Sequence, residues 1–244
     1  MILYINGDSH SAGAEAINNY AFADDDPLYW ALGRVPHPDN LRVSYGCELA
    51  NMMYAILECD AESAASNDRI FRTTWNHLQE AGKTPDYMVI GWSTWEREEW
   101  LHDGTYYQVT AGGTDSVPDA LKDQYKKWVI EQSDPTVIND KIVSVHNRIS
   151  KLHEDLNARK IPHLFFNTYS DFSHIKNLGY LGAKEYDWHG SYIDPYNASG
   201  TYYNWCLAQG FKTVNPRSYH FGADAHRAWA EVLYQNYVQN LLTI

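Results

Sequence analysis

The chain is poor in cysteine and in positive charge, and it has no long apolar run. Its 244 residues include three cysteines, Cys47, Cys59 and Cys206, with no CxxC spacing. An odd, scattered set builds neither a disulfide framework nor a zinc site and reads as buried or free thiols in a reducing compartment. No apolar run approaches the roughly 18 residues of a membrane span. The N-terminus lacks a basic stretch, and its apolar run, Met1 to Ile5, is too short for a secretory signal. The expectation is a cytoplasmic protein with no membrane partner. Asn197-Ala198-Ser199 matches a glycosylation acceptor but carries little weight without secretion. Lys and Arg total 19 against 31 Asp and Glu, a formal net charge of -12. Nucleic acid and anionic lipid both select clustered Lys and Arg, so nucleic acid is not expected as a partner either.

Several motifs are also missing. Gly7 and Gly13 have five residues between them and Ala14 after them, whereas a phosphate loop needs four and a Lys. G-x-G-x-x-G is absent. Ser11 stands two residues after Ser9, which breaks the G-x-S-x-G elbow. There is no H-E-x-x-H and no Cys/His cluster. His146 and His153 lie seven apart beside the apolar stripe of a predicted helix and read as helix-surface residues. Neither a metal nor a cofactor is expected.

Hydrophobic residues make up 44% of the chain and charged ones 20%, which suits a single domain over 1–244 with a sizeable core. Short apolar runs bounded by turn residues predict strands at Met1–Ile5, Ala55–Cys59, Tyr87–Ile90 and His163–Phe166, with a possible fifth at Lys212–Val214. Between them, Glu48–Tyr54 and Asp68–Gln79 predict short helices. Ile138, Ile142, Val145, Ile149, Leu152 and Leu156 fall four and three apart, the stripe of an amphipathic helix. A last helix is predicted from about Gly222 to Leu242. Alternating strands and helices imply an α/β domain with a mainly parallel sheet covered on both faces. Residues 101–118 and 171–210 break the alternation and read as loop insertions beyond strand ends. The second is aromatic: Tyr180, Tyr186, Trp188, Tyr192, Tyr196, Tyr202, Tyr203 and Trp205. Such residues suit sugar platforms, and the plainer reading packs them under long loops.

The chemistry concentrates at both ends. After the first strand comes Asn6-Gly7-Asp8-Ser9-His10-Ser11-Ala12-Gly13, followed by Ala14-Glu15-Ala16-Ile17, which resembles a helix opening. A serine hydroxyl attacks only when a base takes its proton. Ser218 to His226 supplies two histidines, His220 and His226, at the mouth of the last helix. Gly7-Asp8-Ser9-His10-Ser11-Ala12-Gly13 resembles the first block, GDSxSxG, of the SGNH (GDSL-type) hydrolases. Tyr219 to Ala230 resembles that family's last block.

The resemblance implies a flavodoxin-like three-layer α/β/α sandwich with about five strands. It implies Ser9 as nucleophile and His220 as base, with Asp8 and His226 in support. Asp8 reads as a brace for the turn. The family draws oxyanion donors from the Ser backbone, a second-block Gly and a third-block Asn. Those blocks fall here on Ala65, Ser66 and Asn67 and on Ser93, which stands in the Asn position. The family also places Asp three residues before its catalytic His, and here that position is Arg217. Asp194, Asp187 and Asp224 are the candidate acids to orient His220. The favoured function is cleavage of a small-molecule or carbohydrate ester, an acetyl ester on a carbohydrate among them. A catalytically silent ligand-binding module on the same fold and an acyltransferase are the alternatives.

Overall fold

The computed structural model describes residues 1–80, 82, 84–113 and 117–239. Four parallel strands form the central sheet: β1 (Ile2–Gly7), β2 (Ile56–Cys59), β3 (Tyr87–Trp92) and β6 (His163–Asn167). Their order is β2-β1-β3-β6, the flavodoxin-like order of a doubly wound sheet. The register sets Ile5 beside Val89 and Gly7 beside Gly91. Alternation along each strand splits the core into two layers. Tyr4, Met88, Ile90, Trp92 and Phe165 face α3 (Asn67–Gln79) and α5 (Pro135–Ala158). Leu3, Ile5, Tyr87, Val89, Leu164 and Phe166 face α2 (Tyr45–Met52), α6 (Tyr202–Ala208) and α7 (Ala223–Leu233). Two further helices, α1 (Pro38–Arg42) and α4 (Lys122–Glu131), lie outside this sandwich frame.

The fifth strand is a correction. Thr213 makes one antiparallel bridge with Phe221 and joins no sheet. The outer edge of β6 is taken instead by residues 191–193. The Phe165 N–H donates to the Ser191 carbonyl at 2.8 Å, and the Ile193 N–H donates to the Phe165 carbonyl at 2.9 Å. The segment 101–118 is not wholly loop, because β4 (Glu98–His102) and β5 (Thr105–Val109) pair as an antiparallel hairpin. The last helix is shorter than predicted: α7 ends at Leu233 and passes into a wider π turn, Tyr234–Val238. Leu241 and Leu242 lie outside the described residues.

The aromatic segment follows the plainer reading. Trp188, Tyr192 and Tyr202 are buried in the core. Their polar tips are spent on structure: Tyr196 Oη accepts from the Tyr186 N–H at 2.6 Å and from Trp188 Nε1 at 3.1 Å, and Tyr192 Oη donates to Asn167 Oδ1 at 2.6 Å.

His146 and His153 are not on the helix surface. They are 2% and 1% exposed, turned into the layer between α5 and the sheet. His163 Nδ1 lies 2.9 Å from the Ile161 carbonyl, which can only accept. His163 Nε2 is therefore a bare acceptor for His153 Nδ1 at 2.8 Å, and His153 Nε2 accepts from Asn157 Nδ2 at 2.9 Å. This chain of bonds runs one way and works only while both rings are neutral. Burial pushes His163 and His146 down to about 4, and His10 and His226 to about 4 and about 3.

Beneath the turn that follows β1, two glycines make room. A Cβ on Gly91 would stand 2.7 Å from Ser11 Oγ and 2.9 Å from the Phe166 ring. A Cβ on Gly7, whose φ is 153°, would lie 2.1 Å from Ser11 Oγ. Tyr45 Oη donates to that Ser11 hydroxyl at 2.7 Å, so the hydroxyl is fixed.

Two outcomes are expected. Below about pH 6.5 the unfolded chain takes up protons that His10, His146, His163 and His226 refuse in the fold. Stability should therefore be full above about pH 6.5 and fall as pH drops toward about 4. Thermal melting from pH 8 to 4.5 measures this, and a Tm that is flat down to pH 5 would contradict it. Gly91→Ala should cost about 1–3 kcal/mol in urea unfolding through overpacking. Gly112→Ala, where a Cβ meets nothing within 4 Å among the described residues, should stay within about 0.5 kcal/mol.

Candidate active site

β1 ends where the sheet's connections part, β2 on one side and β3 on the other, the place where doubly wound sheets bind ligands. Asn6 anchors this end. Its Oδ1 accepts from the Gly7 N–H at 2.8 Å, and its Nδ2 reaches Thr74 Oγ1 of α3 at 2.9 Å. The chain then coils tightly. The Ala12 N–H donates to the Asp8 carbonyl and the Ala14 N–H to the Ser9 carbonyl, both at 2.9 Å. Asp8 braces the coil: its Oδ1 accepts from the His10 N–H at 3.0 Å, and its Oδ2 accepts from Thr168 Oγ1 at 2.8 Å.

The helix suggested at Ala14 does not form. Gly13 and Glu15 take left-handed φ values of 69° and 61°. The loop is tied down by Asn40, whose Oδ1 accepts from the Ile17 N–H at 3.0 Å and whose Nδ2 donates to the Tyr20 carbonyl at 2.7 Å. A glutamate with positive φ is unusual and is tolerated where the surroundings determine it. Here the twist sends the carboxylate across to the C-terminal block. Glu15 Oε2 lies 2.6 Å from His220 Nδ1 and also accepts from Ser218 Oγ. The hydrogen bond from His220 holds the Glu15 carboxyl below its usual range. His220 is fixed from behind as well, with its N–H on Ser218 Oγ at 3.0 Å and its carbonyl accepting from the Val214 N–H at 2.9 Å. Lys212–Val214 thus serves as a clamp on the histidine loop.

The three aspartates proposed as orienting acids do not reach His220. Asp187 is exposed and pairs with His189 at 3.2 Å. Asp194 is exposed, and Asp224 caps the Ala225 N–H at the start of α7. Arg217 is exposed on the loop before His220. Glu15 was missed because a helix-like run hid it. The available signal was an isolated acid among small residues six positions after Ser9.

Ser9, His10 and His220 line one cavity of about 500 Å³ together with Ala64, Thr94, Arg97, Phe22, Tyr169 and Tyr219. None of the eight aromatics of 180–205 lines it, although Tyr203 backs the wall 4.9 Å from Tyr169. His10 is 5% exposed, its ring edge-on to His220 at 5.3 Å, and its buried Nδ1 has no partner among the described residues. His226 is a core residue: its Nδ1 accepts from the Tyr45 N–H at 3.3 Å.

Ala65, Ser66, Asn67 and Ser93 are buried and do not line the cavity. The Asn67 amide and the N–H groups of Ala65, Ser66 and Ser93 are spent. The Ala65 N–H bonds the Glu62 carbonyl at 3.0 Å, and the Ser66 N–H bonds Gln108 Oε1 at 2.9 Å. Asn67 Nδ2 holds the Ser93 and Thr94 carbonyls, and its Oδ1 accepts from the Ser93 N–H at 2.9 Å. Ser9 and Ala64, the latter with φ 62°, are among the cavity-lining residues whose N–H has no acceptor among the described residues.

A larger hollow of about 810 Å³ lies between β2 and α3, lined by Glu58, Asp60 and His77. Its one thiol, Cys59, is pushed up to about 12 by burial. Among the described residues no group of three or more His, Cys, Asp or Glu is placed to hold a metal, and no helix is long and apolar enough to cross a membrane.

No family model matches the sequence, and no curated protein matches it. Among solved structures, the chain is similar to Est2A, an acetyl xylan esterase from the rumen bacterium Butyrivibrio proteoclasticus, at 14% identity and a TM-score of 0.44 over 99% of this chain. It is also similar to a family two carbohydrate esterase from Clostridium thermocellum solved with cellohexaose, at 14% identity and a TM-score of 0.46 over its whole length. A family 2 carbohydrate esterase with a carbohydrate-binding domain, from Myceliophthora fergusii, matches at 16% identity with a TM-score of 0.45. The chain spans 64%, 65% and 67% of these three proteins.

Proposed function

We propose that the protein is a serine hydrolase of the SGNH type that cleaves a carboxylic ester, with Ser9 as nucleophile, His220 as general base and Glu15 as the orienting acid. One observation carries this reading: the 2.6 Å contact between His220 Nδ1 and Glu15 Oε2. An ionised carboxylate can only accept, so Nδ1 carries the proton. Nε2 is then left with its lone pair in a cavity that Ser9 shares. That is the tautomer a base needs. It also answers the absence of the family's Asp, since Arg217 leaves the acid's role open and Glu15 fills it from the other end of the chain.

The reaction follows. Ser9 Oγ bonds to the ester carbonyl carbon while Nε2 takes the hydroxyl proton. The negative charge that develops on the carbonyl oxygen is met by the N–H groups of Ser9 and Ala64. The carbon–alkoxy bond breaks, and the alcohol leaves with the proton from Nε2. Water repeats the sequence on the acyl-enzyme and frees Ser9. Glu15 stays ionised and stabilises the transient imidazolium. Phe22, Tyr169 and Tyr219 give the cavity flat apolar surfaces, and the two tyrosines add polar tips, which suits a sugar ring bearing the ester. An acetyl ester of a carbohydrate is the substrate class we favour.

A fluorophosphonate probe should label the wild type and fail on Ser9→Ala, while Ser11→Ala can still be labelled if it folds. On short-chain aryl esters, Glu15→Gln should lower kcat by roughly 10²–10⁴-fold, because an amide can hold the opposite tautomer. His220→Ala should cost at least as much. Full turnover by Ser9→Ala or His220→Ala would overturn the reading.

A further inference from the structure

The resemblance leads one to expect an Asn side chain in the oxyanion site, and Ser93 stands in its place. Ser93 is fully buried, and its hydroxyl is turned toward Arg97, whose NH1 donates to Ser93 Oγ at 3.0 Å. The same nitrogen lies 3.5 Å from the Ala65 carbonyl and 3.7 Å from Asp8 Oδ2. Arg97 itself lines the cavity that holds Ser9 and His220. We propose that Arg97 is the third oxyanion donor, a cation acting from the place where the family uses a neutral amide. The assignment rests on the hydrolase reading above.

Three features support it. First, the guanidinium is anchored by one nitrogen and open at the others. It carries five N–H groups, and NH1 accounts for two. The Nε and NH2 hydrogens have no acceptor among the described residues, and the side chain is 23% exposed at the cavity wall. Second, its loop is stiff. Asn67 pins the carbonyls of Ser93 and Thr94, and Trp95 stacks on Phe172 at 4.3 Å. A donor that is held before the reaction stabilises developing charge without reorganisation. Third, the cavity carries negative charge. Asp8 and Glu96 line it, and the Glu15 carboxylate sits on the Nδ1 of its lining residue His220. A new oxyanion there is repelled unless a positive group faces it, and charge-assisted donors are the stronger kind.

The plain alternative is that Arg97 only neutralises the buried Asp8 carboxylate. The two roles differ in what they move. A transition-state donor affects kcat and the affinity for tetrahedral anions. A structural partner of Asp8 loosens the Ser9 turn and changes stability and KM along with rate.

The test uses Arg97→Gln and Arg97→Lys in the full chain, with aryl acetate kinetics, melting and inhibition by an alkyl boronic acid, which becomes a tetrahedral anion on the serine. Arg97→Gln should lower kcat by roughly 10²–10³-fold with KM nearly unchanged. Boronate affinity should fall by the same factor as kcat/KM, with little change in binding of the uncharged alcohol product. Arg97→Lys should recover part of both. A kcat within about threefold of wild type in Arg97→Gln, or a loss of rate with unchanged boronate affinity, overturns the assignment and leaves the triad standing. If Arg97→Gln does not fold, Arg97→Lys decides by the same comparison of boronate affinity with kcat/KM. A wild type that neither turns over esters nor takes the fluorophosphonate overturns both readings.

Discussion

The carboxylate of Asp8 is the knot on which the carboxyl end of the sheet depends. It is 1% exposed, and a buried charge must be paired or it is expelled. Its partners come from three parts of the chain: the His10 N–H from the turn after β1, Thr168 Oγ1 from the end of β6, and Arg97 from the loop after β3. Satisfying one charge therefore draws together three strand ends. Ser9 sits between Asp8 and the His10 N–H that Asp8 holds, so the serine is fixed by the same bonds.

Much of this was legible in the sequence, and the reasons differ from residue to residue. β3 and β6 are fully buried, and β1 is buried from Leu3 on; all are bounded by Gly, Pro or Asp, so their apolar continuity shows directly. The α5 stripe shows because one face is buried from Val143 to Leu156. The Lys212–Val214 run is strand-like in composition, yet residues 191–193 already hold the edge of β6, a competition decided only in three dimensions. His146 and His153 look like surface residues because nothing local reveals that a tyrosine hydroxyl and a second imidazole await them at 2.9 and 2.8 Å. Ser9 and His220 come from short blocks with fixed spacing. The acid proposed for them does not, since an orienting carboxylate need only reach the ring, and any segment can deliver it.

The oxyanion residues show a related limit. Ala65, Ser66, Asn67 and Ser93 occupy the matching blocks, but block position does not say which way a donor points. Asn67 has the right side chain and spends it on the carbonyls of the β3 loop. The neighbouring Ala64, in a left-handed conformation, lines the cavity instead.

Glu15 lies six residues from Ser9 in one tightly bonded coil. Two of the three groups of the proposed triad thus belong to a single short segment. Assembling the site asks for one long-range meeting of chain segments where a dispersed triad asks for two, and the conformational entropy of one closure is spared. The spacing between nucleophile and acid becomes a local property of the coil, set before the C-terminal block arrives. Docking of the histidine loop then completes the proposed triad.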